Sequence, residues 1–425
     1  MTASTAPGSV FVVGAGVAGL TIAHQLQRRG VDVTVLEAGQ VGCGASHGNA
    51  GWVNPAQTGP LPEPNLIKDG LRNLGAPDSA VQIALRDYPQ MLPWLARFLR
   101  NCTARRYWLG AAAVAELGKR TFPLLEQLAA DGVDFSSAAE GLLVVARKPA
   151  ALQGFLRALE PLRAAGYEID GTVLGGGELR DREPALSRHA QAGLYLRQHI
   201  QLDPAQFVTA LAGHVRRQGV HIREGVRVIG LRAPNGNVEH LVTSEGEYAT
   251  GSVIIATGAS PLGYAAQLPL TSGRGYSFEV DASVPPRQST LLLDAHVACS
   301  PIGERLRICG GMDFGRSAKL TEQRLEAIAA GAKDILEQVD WDSRRGCWTG
   351  ERPLTPDGLP VVDRLSGYAN AWVATGYSML GMTLAAPAAE ALVDYVLSGQ
   401  RPQVLQAFGA DRFRRFRRRT RRRTS

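Results

Sequence analysis

Six consecutive residues near the start of the chain have the types and spacing that hold a phosphate. Gly14-Ala15-Gly16-Val17-Ala18-Gly19 follows the apolar run Val10-Phe11-Val12-Val13 and precedes helical apolar spacing at Leu20, Ala23 and Leu26. In that context each glycine has a task. Gly14 permits the sharp turn out of a strand, Gly16 lets the backbone approach a pyrophosphate, and Gly19 lets helix and strand pack closely. The helix start, with Val17 and Ala18, turns free N–H groups and the positive end of its dipole toward the phosphates. Glu37 ends the next strand, eighteen residues beyond Gly19, and Ala38 follows it. A carboxylate there accepts hydrogen bonds from a ribose diol and repels a 2′-phosphate, so NADP is disfavoured. Glycine spacing alone does not separate FAD from NAD. Its place close to the chain start favours a flavin nucleotide, as does Ser252-Val-Ile-Ile-Ala-Thr-Gly-Ala259, a buried strand closing in Thr257-Gly258.

A strand–turn–helix–strand unit over 9–36 must position these residues. Its helix closes on Arg28-Arg29-Gly30, a basic last turn with a glycine stop. Residues 42–64 are rich in Gly, Asn, Pro and Ser and show no period. A loop of that length within a domain usually serves a function. Helical spacing follows, clearest over 88–99 and 114–130, then a strand over 141–147 and a helix over 150–165. Asp203 caps a helix over 204–218. Short strands are expected over 276–280, 290–294 and 306–309, a helix over 321–339, a strand over 371–374 and a last helix over 383–397. This order implies an α/β chain: a Rossmann-like FAD-binding domain interrupted by an α+β substrate domain with an antiparallel sheet. Residues 9–65, 196–265 and 347–400 are assigned to the first domain and 66–195 and 266–346 to the second. Residues 401–425 form a basic, unstructured tail.

The bulk properties are those of a soluble globular protein, with 45% hydrophobic and 20% charged residues. No apolar run is long enough to span a bilayer. Residues 1–9 read as a short leader rather than a signal peptide, and a cytoplasmic location is expected. The five cysteines are scattered and form no CxxC pair, which argues against a disulfide framework and against a metal site. Nine arginines between Arg412 and Arg423 account for the basic balance, and removing them takes the formal charge from +7 to −2. Such a block repels itself and attracts anionic surfaces. A solvated tail is the first expectation, weak contact with the inner face of the membrane the second, and nucleic acid the last.

Further segments widen the pattern: Ala45-Ser-His-Gly-Asn-Ala-Gly51, Arg307-Ile-Cys-Gly-Gly311, Trp348-Thr-Gly-Glu-Arg-Pro-Leu-Thr-Pro-Asp-Gly358 and Ala374-Thr-Gly-Tyr-Ser-Met-Leu-Gly-Met-Thr383. With the βαβ unit they resemble the D-amino acid oxidase superfamily of flavoproteins, nearest D-amino acid dehydrogenases, with glycine and sarcosine oxidases as relatives. The resemblance implies non-covalent FAD. It also implies that Arg352 binds the substrate carboxylate through two parallel donors. Ser46, Asn49, Ala50 and Gly51 would run beside the flavin, and Val228, Thr257 and Gly258 would also touch the cofactor. The segment Gly376, Leu380, Gly381, Met382 and Thr383 would face the pyrimidine edge of the ring, where a helix start stabilises the charge of the reduced form. Tyr276 and Tyr377 are candidate pocket residues. His47 reads as an exposed loop histidine, and Cys347 is offset from the position of a flavin tether.

No His/Asp or Cys/His arrangement suggests side-chain acid–base work. The expected chemistry is therefore positioning. Arg352 holds a D- or achiral amino acid so that its Cα–H faces the flavin, and the imino product hydrolyses to a 2-oxo acid and ammonia. The acceptor for the electrons is a quinone, another electron-transfer partner or O2. Two alternatives stay open: oxidation of a secondary amine, and a flavin-binding subunit without catalysis.

Overall fold

The computed structural model describes residues 8–64, 81–260, 262, 268–315 and 318–416. The main elements run in chain order as follows: β1 (Ser9–Val13), α1 (Val17–Gln27), β2 (Asp32–Leu36), α2 (Tyr88–Asn101), α3 (Ala104–Gly118), α4 (Thr121–Ala130), β3 (Leu142–Ala146), α5 (Pro149–Ala164), α6 (Gly176–Arg182), β4 (Ala192–Leu196), α7 (Pro204–Arg217), β5 (His221–Arg223), β6 (Val253–Ile255), β7 (Thr271–Ala282), β8 (Ser289–Leu292), β9 (Val297–Ile302), β10 (Arg305–Phe314), α8 (Glu322–Lys333), β11 (Val339–Leu354), β12 (Val361–Arg364), β13 (Ala371–Thr375) and α9 (Gly381–Ser398).

Two sheets organise the molecule. The first has the order β5-β2-β1-β6-β13-β12, parallel except for β12, which runs against β13. Its central strands are buried on both faces, which explains the unbroken apolar runs Val10–Val13 and Val253–Ile255. α1 packs against α7 and α9, and Leu20, Ile22, Ala23 and Leu26 are fully buried. The second sheet has nine strands, in the order β11-β7-β10-β9-β8-β3-β4 followed by Val173–Gly175, with Val81–Ile83 beside β10. The family-like fold expected from the sequence, a Rossmann-like domain plus a substrate domain built on a large sheet, is present.

Three expectations change. The first concerns 339–354, where no strand was expected. β11 covers it, paired with β7 from Thr271↔Leu354 to Ala282↔Val339. The division placed at 346/347 therefore falls inside one strand of the substrate sheet, because the strand continues to Leu354. The second is the tail. Residues 403–408 and 410–416 form short 3₁₀ helices, with Leu405 and Phe408 fully buried, and Arg401 pairs with Asp363. Two apolar anchors and an ion pair overcome the self-repulsion of the first part of the basic block. Residues 417–425 lie outside the described residues, as does the division at 65/66. The third is 114–130, which is two helices, α3 and α4, broken at Lys119–Arg120.

Candidate active site

The turn after β1 takes the shape its glycines allow. Gly14 has φ +106°, and a Cβ there would lie 2.5 Å from the Ala256 carbonyl oxygen. A Cβ on Gly19 would lie 1.9 Å from the Gly14 oxygen. Neither position tolerates a side chain. Of the amides at the start of α1, Val17 N–H donates to Ser46 Oγ at 3.0 Å, while Gly16, Ala18 and Gly19 have no acceptor among the described residues. Glu37 accepts from Ala15 N–H through Oε2 and from Gly39 N–H through Oε1, both at 2.8 Å. That pair of bonds fixes the carboxylate at the end of β2 and ties the glycine loop to the second strand. The carboxylate oxygens keep lone pairs for a ribose.

The start of α9 offers a second set of donors. Leu380 caps it without a side-chain bond, and the Gly381, Met382 and Thr383 amides have no acceptor among the described residues. Pro387 lies in the second turn, not the first, so its missing N–H leaves the Thr383 carbonyl open. Thr121 Oγ1 donates to that carbonyl at 2.9 Å and repairs the ladder. Thr383 Oγ1 accepts from Asn54 N–H at 3.1 Å, joining the helix to the 42–64 segment.

One cavity of about 2330 Å³ joins these elements. Gly14, Gly16, Val17 and Ala18 line it, with Glu37, Ala38 and the loop residues Ser46, Asn49 and Ala50. Val228, Thr257 and Gly258 line it, as do Tyr377, Leu380, Gly381, Met382 and Thr383. Arg352 stands in the same cavity. Gly19, Gly51 and Gly376 do not reach its surface. They shape it instead: a Cβ on Gly51 would meet the Leu202 oxygen at 1.9 Å, and Gly376 has φ +77° against Thr355. The Ala50 carbonyl accepts from Gln201 Nε2 at 3.0 Å and from Ser300 Oγ at 2.9 Å, which stiffens the loop.

Arg352 lies across β7. Nη1 donates to the Gly311 carbonyl at 2.9 Å, and no carboxylate of the described residues forms an ion pair with it. Burial pulls this guanidinium below the ordinary arginine value, opposed by Cys309, Asp313 and Tyr276 nearby. A cation so placed lacks an anion. Its position depends on Gly275, where a Cβ would stand 2.2 Å from the guanidinium carbon. Trp348 lies flat over Gly350 and against Gly48, where Cβ atoms would meet its ring at 2.2 Å and 2.4 Å. It forms a wall of the cavity between the 45–51 loop and Arg352. Gly275 was not singled out from the sequence, and Trp348 stood in a motif without a role, because the use of each depends on partners distant in sequence.

Tyr276 does not reach the cavity. Strand alternation puts it with Phe278 and Val280 on the face covered by α8, and its hydroxyl donates to Asp313 at 2.8 Å. Tyr377 is different. It is buried in the cavity wall, its hydroxyl has no partner, and burial raises its pKa. His47 is exposed, and Cys347 is exposed and outside the cavity.

The site fits a flavin dinucleotide. Glycines that a Cβ would fill leave room for the pyrophosphate, two helix starts present unused amides, and an unpartnered hydroxyl waits at the far end. FAD bound there would be held by the Gly14–Gly19 turn, Glu37, the 45–51 loop and the start of α9.

Comparisons with known proteins agree. The chain is 31% identical over 422 residues to a D-amino acid dehydrogenase of Cereibacter sphaeroides, covering 95% of each. It is 30% identical over 420 residues to one of Bradyrhizobium diazoefficiens, covering 95% of this chain and 98% of that one. Among solved structures it resembles L-proline dehydrogenase from P. horikoshii, with a TM-score of 0.73 and 18% identity, covering 97% of this chain and 99% of that chain. Glycine oxidase from Bacillus cereus gives a TM-score of 0.72 at 19% identity, covering 94% and 97%. The family model described as DAO, FAD dependent oxidoreductase, matches residues 9–395, and the chain is a member of that family of FAD-dependent enzymes.

Proposed function

We propose that the chain catalyses the oxidative deamination of a D-amino acid as a dehydrogenase, with non-covalent FAD. The observation that carries this reading is a guanidinium without a carboxylate partner, Arg352, in the same cavity as the dinucleotide turn. FAD, held by the Gly14–Gly19 turn, Glu37, the 45–51 loop and the start of α9, would supply a two-electron acceptor. The protein supplies orientation. Among the described residues Nε and the second terminal nitrogen of Arg352 have no acceptor and can hold a carboxylate with two bonds. Trp348 closes one side, and apolar Met312, Trp94 and Phe98 line the cavity on the substrate-domain side, which suits a neutral side chain. The amine, entering neutral, needs no side-chain base. The two-electron oxidation yields an imino acid, and water converts it to a 2-oxo acid and ammonia. Full-length likeness to D-amino acid dehydrogenases at 30–31% identity supports the D-amino acid over other amines. A quinone or another electron-transfer partner is proposed as the acceptor ahead of O2, in keeping with relatives named dehydrogenases.

A substrate panel tests this. D-amino acids, their L-enantiomers, glycine, sarcosine and proline are offered with an artificial dye or with O2 alone. Dye reduction by neutral D-amino acids, with little peroxide, is the expected result. Arg352→Ala should lower kcat/KM by about a hundredfold or more, from the loss of a charged bidentate contact of roughly 3 kcal/mol. Turnover confined to secondary amines, or an Arg352→Ala enzyme with wild-type kcat/KM, would overturn the reading.

A further inference from the structure

Two buried arginines approach one glycine of the substrate sheet from opposite faces. Arg352 reaches Gly311 from the cavity side, and Arg324, in the first turn of α8, reaches it from the other. At this point β10 carries an extra residue. Arg274 of β7 faces Asp313 and Tyr276 faces Gly310, so Gly275 alone faces both Gly311 and Met312. That is a β-bulge, a device that re-aims groups beside active sites. Gly311 takes φ +75°, a left-handed backbone that suits glycine. A Cβ on Gly275 would meet the Arg352 guanidinium, whereas one on Gly311 would lie 2.9 Å from the Tyr276 ring and 3.1 Å from Arg324 Nη2. The bulge presents the Gly311 carbonyl to Arg352 Nη1, which donates to it at 2.9 Å.

On the α8 face three side chains clamp the bulge. Asp313, two residues past Gly311, accepts from the Tyr276 hydroxyl at 2.8 Å through one carboxylate oxygen and from Arg324 Nη2 at 2.7 Å through the other. Arg324 also lies over the Tyr276 ring, 5.9 Å from its centroid. Thr321 Oγ1 accepts from Arg324 N–H at 3.3 Å and holds the helix start under the cluster. Asp313, Arg324 and Tyr276 are all buried. A buried ion pair is weak evidence of stability, because an apolar pair of like volume often serves a fold as well. It does fix geometry when its bonds are made, and a satisfied buried network is rigid. The strand is therefore pinned directly beyond the bulge that holds Arg352.

We propose that Asp313, held by Arg324 and Tyr276, is a positioning residue for Arg352. By pinning the bulge it fixes the Gly311 carbonyl, and that carbonyl sets the free donors of the guanidinium toward the substrate carboxylate. This role rests on Arg352 being the carboxylate clamp proposed above. Asp313 acts on the clamp in two ways that differ in sign. Its negative charge, across the sheet from Arg352, weakens the attraction of the site for a carboxylate. Its hold on the bulge strengthens binding by keeping Nη1 engaged and the other donors aligned. A two-bond contact needs both donors in line, so the positional effect is the larger.

Calorimetric titration of the full-length, FAD-loaded enzyme with 4-methylpentanoate, a carboxylate without an amine, reads the clamp in the absence of turnover. Asp313→Asn should bind it about 5- to 20-fold more weakly than the wild type, from the partial loss of a charged hydrogen bond. KM for D-leucine should rise by a similar factor, with kcat within about threefold. Tyr276→Phe removes one bond, leaves every charge in place and should weaken binding about two- to fivefold. It keeps the test open should Asp313→Asn fold poorly. Asp313→Asn/Arg352→Ala should bind no more weakly than Arg352→Ala, since the two changes disable the same contact. Wild-type affinity in both Asp313→Asn and Tyr276→Phe would reduce the cluster to packing and overturn the proposal. Tighter binding by Asp313→Asn would overturn it too, because charge rather than geometry would then be what Asp313 contributes. Arg352→Ala separates this role from the clamp itself. If it binds the carboxylate as the wild type does, or if the wild type binds none, the clamp fails and the role of Asp313 with it. If Arg352→Ala alone loses affinity, the clamp stands and only the role of Asp313 falls.

Discussion

Gly275→Ala should damage the enzyme through Arg352 while leaving the arginine in place. Gly275 pairs with Gly350 in the β7–β11 register, and a Cβ on it would lie 2.2 Å from Cζ and Nη2 of Arg352 and 2.4 Å from Nη1. Ordinary carbon contacts begin near 3.5 Å, so the guanidinium must move by about 1.3 Å. The moving part is the end of a flexible side chain, and Gly275 has no left-handed φ, so the strand itself accepts alanine. A shift of that size breaks the 2.9 Å bond from Nη1 to the Gly311 carbonyl and turns the donors away from a substrate carboxylate. Losing a charged hydrogen bond costs about 1.5–3 kcal/mol, and each 1.4 kcal/mol is tenfold. The expected fall in kcat/KM is therefore about 10- to 150-fold, measured by dye reduction at wild-type flavin content. The double variant Gly275→Ala/Arg352→Ala should be no worse than Arg352→Ala, because both act through one contact. A Gly275→Ala enzyme within twofold of wild type, or a double variant with additive losses, would refute the reasoning.

Two further outcomes follow from the same geometry. Glu37→Ala removes the bridge between the Ala15 and Gly39 amides and the expected ribose acceptor, so the FAD dissociation constant should rise about 10- to 100-fold, from one charged bond of roughly 1.5–3 kcal/mol; titration of the apoprotein reads it, and unchanged affinity would remove the ribose assignment. His24 on α1 is buried beside His214, with Nε2 3.2 Å from Asp131, and desolvation lowers its pKa from 6.5 to about 4. A lowered value means that the folded state prefers the neutral ring. Its contribution is complete above pH 6.5 and is lost as the pH falls toward 4, by up to about 3 kcal/mol at 1.36 kcal/mol per unit. Melting temperatures of wild type and His24→Gln should therefore converge as the pH drops from 6.5 to 4, and parallel curves would contradict this. His199, lowered to about 3 by burial, costs stability across the same window, but equally in both proteins, so the comparison stays intact.

The dinucleotide half of the site was legible because local sequence builds it. Gly14, Gly16, Gly19 and Glu37 lie within one βαβ unit, and their types follow from backbone clearance and a strand end. Arg352 was legible as a residue but not as a position. β11 is polar, with the sequence VDWDSRRGCWTGERPL, and shows no two-residue apolar alternation, so nothing local marked it as a strand. Gly275 and Trp348 act through partners across the sheet and in the 45–51 loop, a relation that exists only once the strands pair. Tyr276 was misplaced for the opposite reason. A tyrosine in a short strand is plausible on either face, and only the packing of α8 selects the face away from the cavity. The first part of the tail shows how two buried side chains, Leu405 and Phe408, can order a segment whose composition reads as solvated.

In the proposed reaction one cavity brings an amino acid held at Arg352 to a flavin held by the Gly14–Gly19 turn. Anaerobic titration of the purified enzyme with D-amino acids measures it most directly. The account predicts a yellow protein whose visible flavin absorbance is bleached by a neutral D-amino acid and is not bleached, at the same concentrations, in the Arg352→Ala enzyme. A protein that takes up no FAD, or a bound flavin that no amino acid reduces, would contradict it.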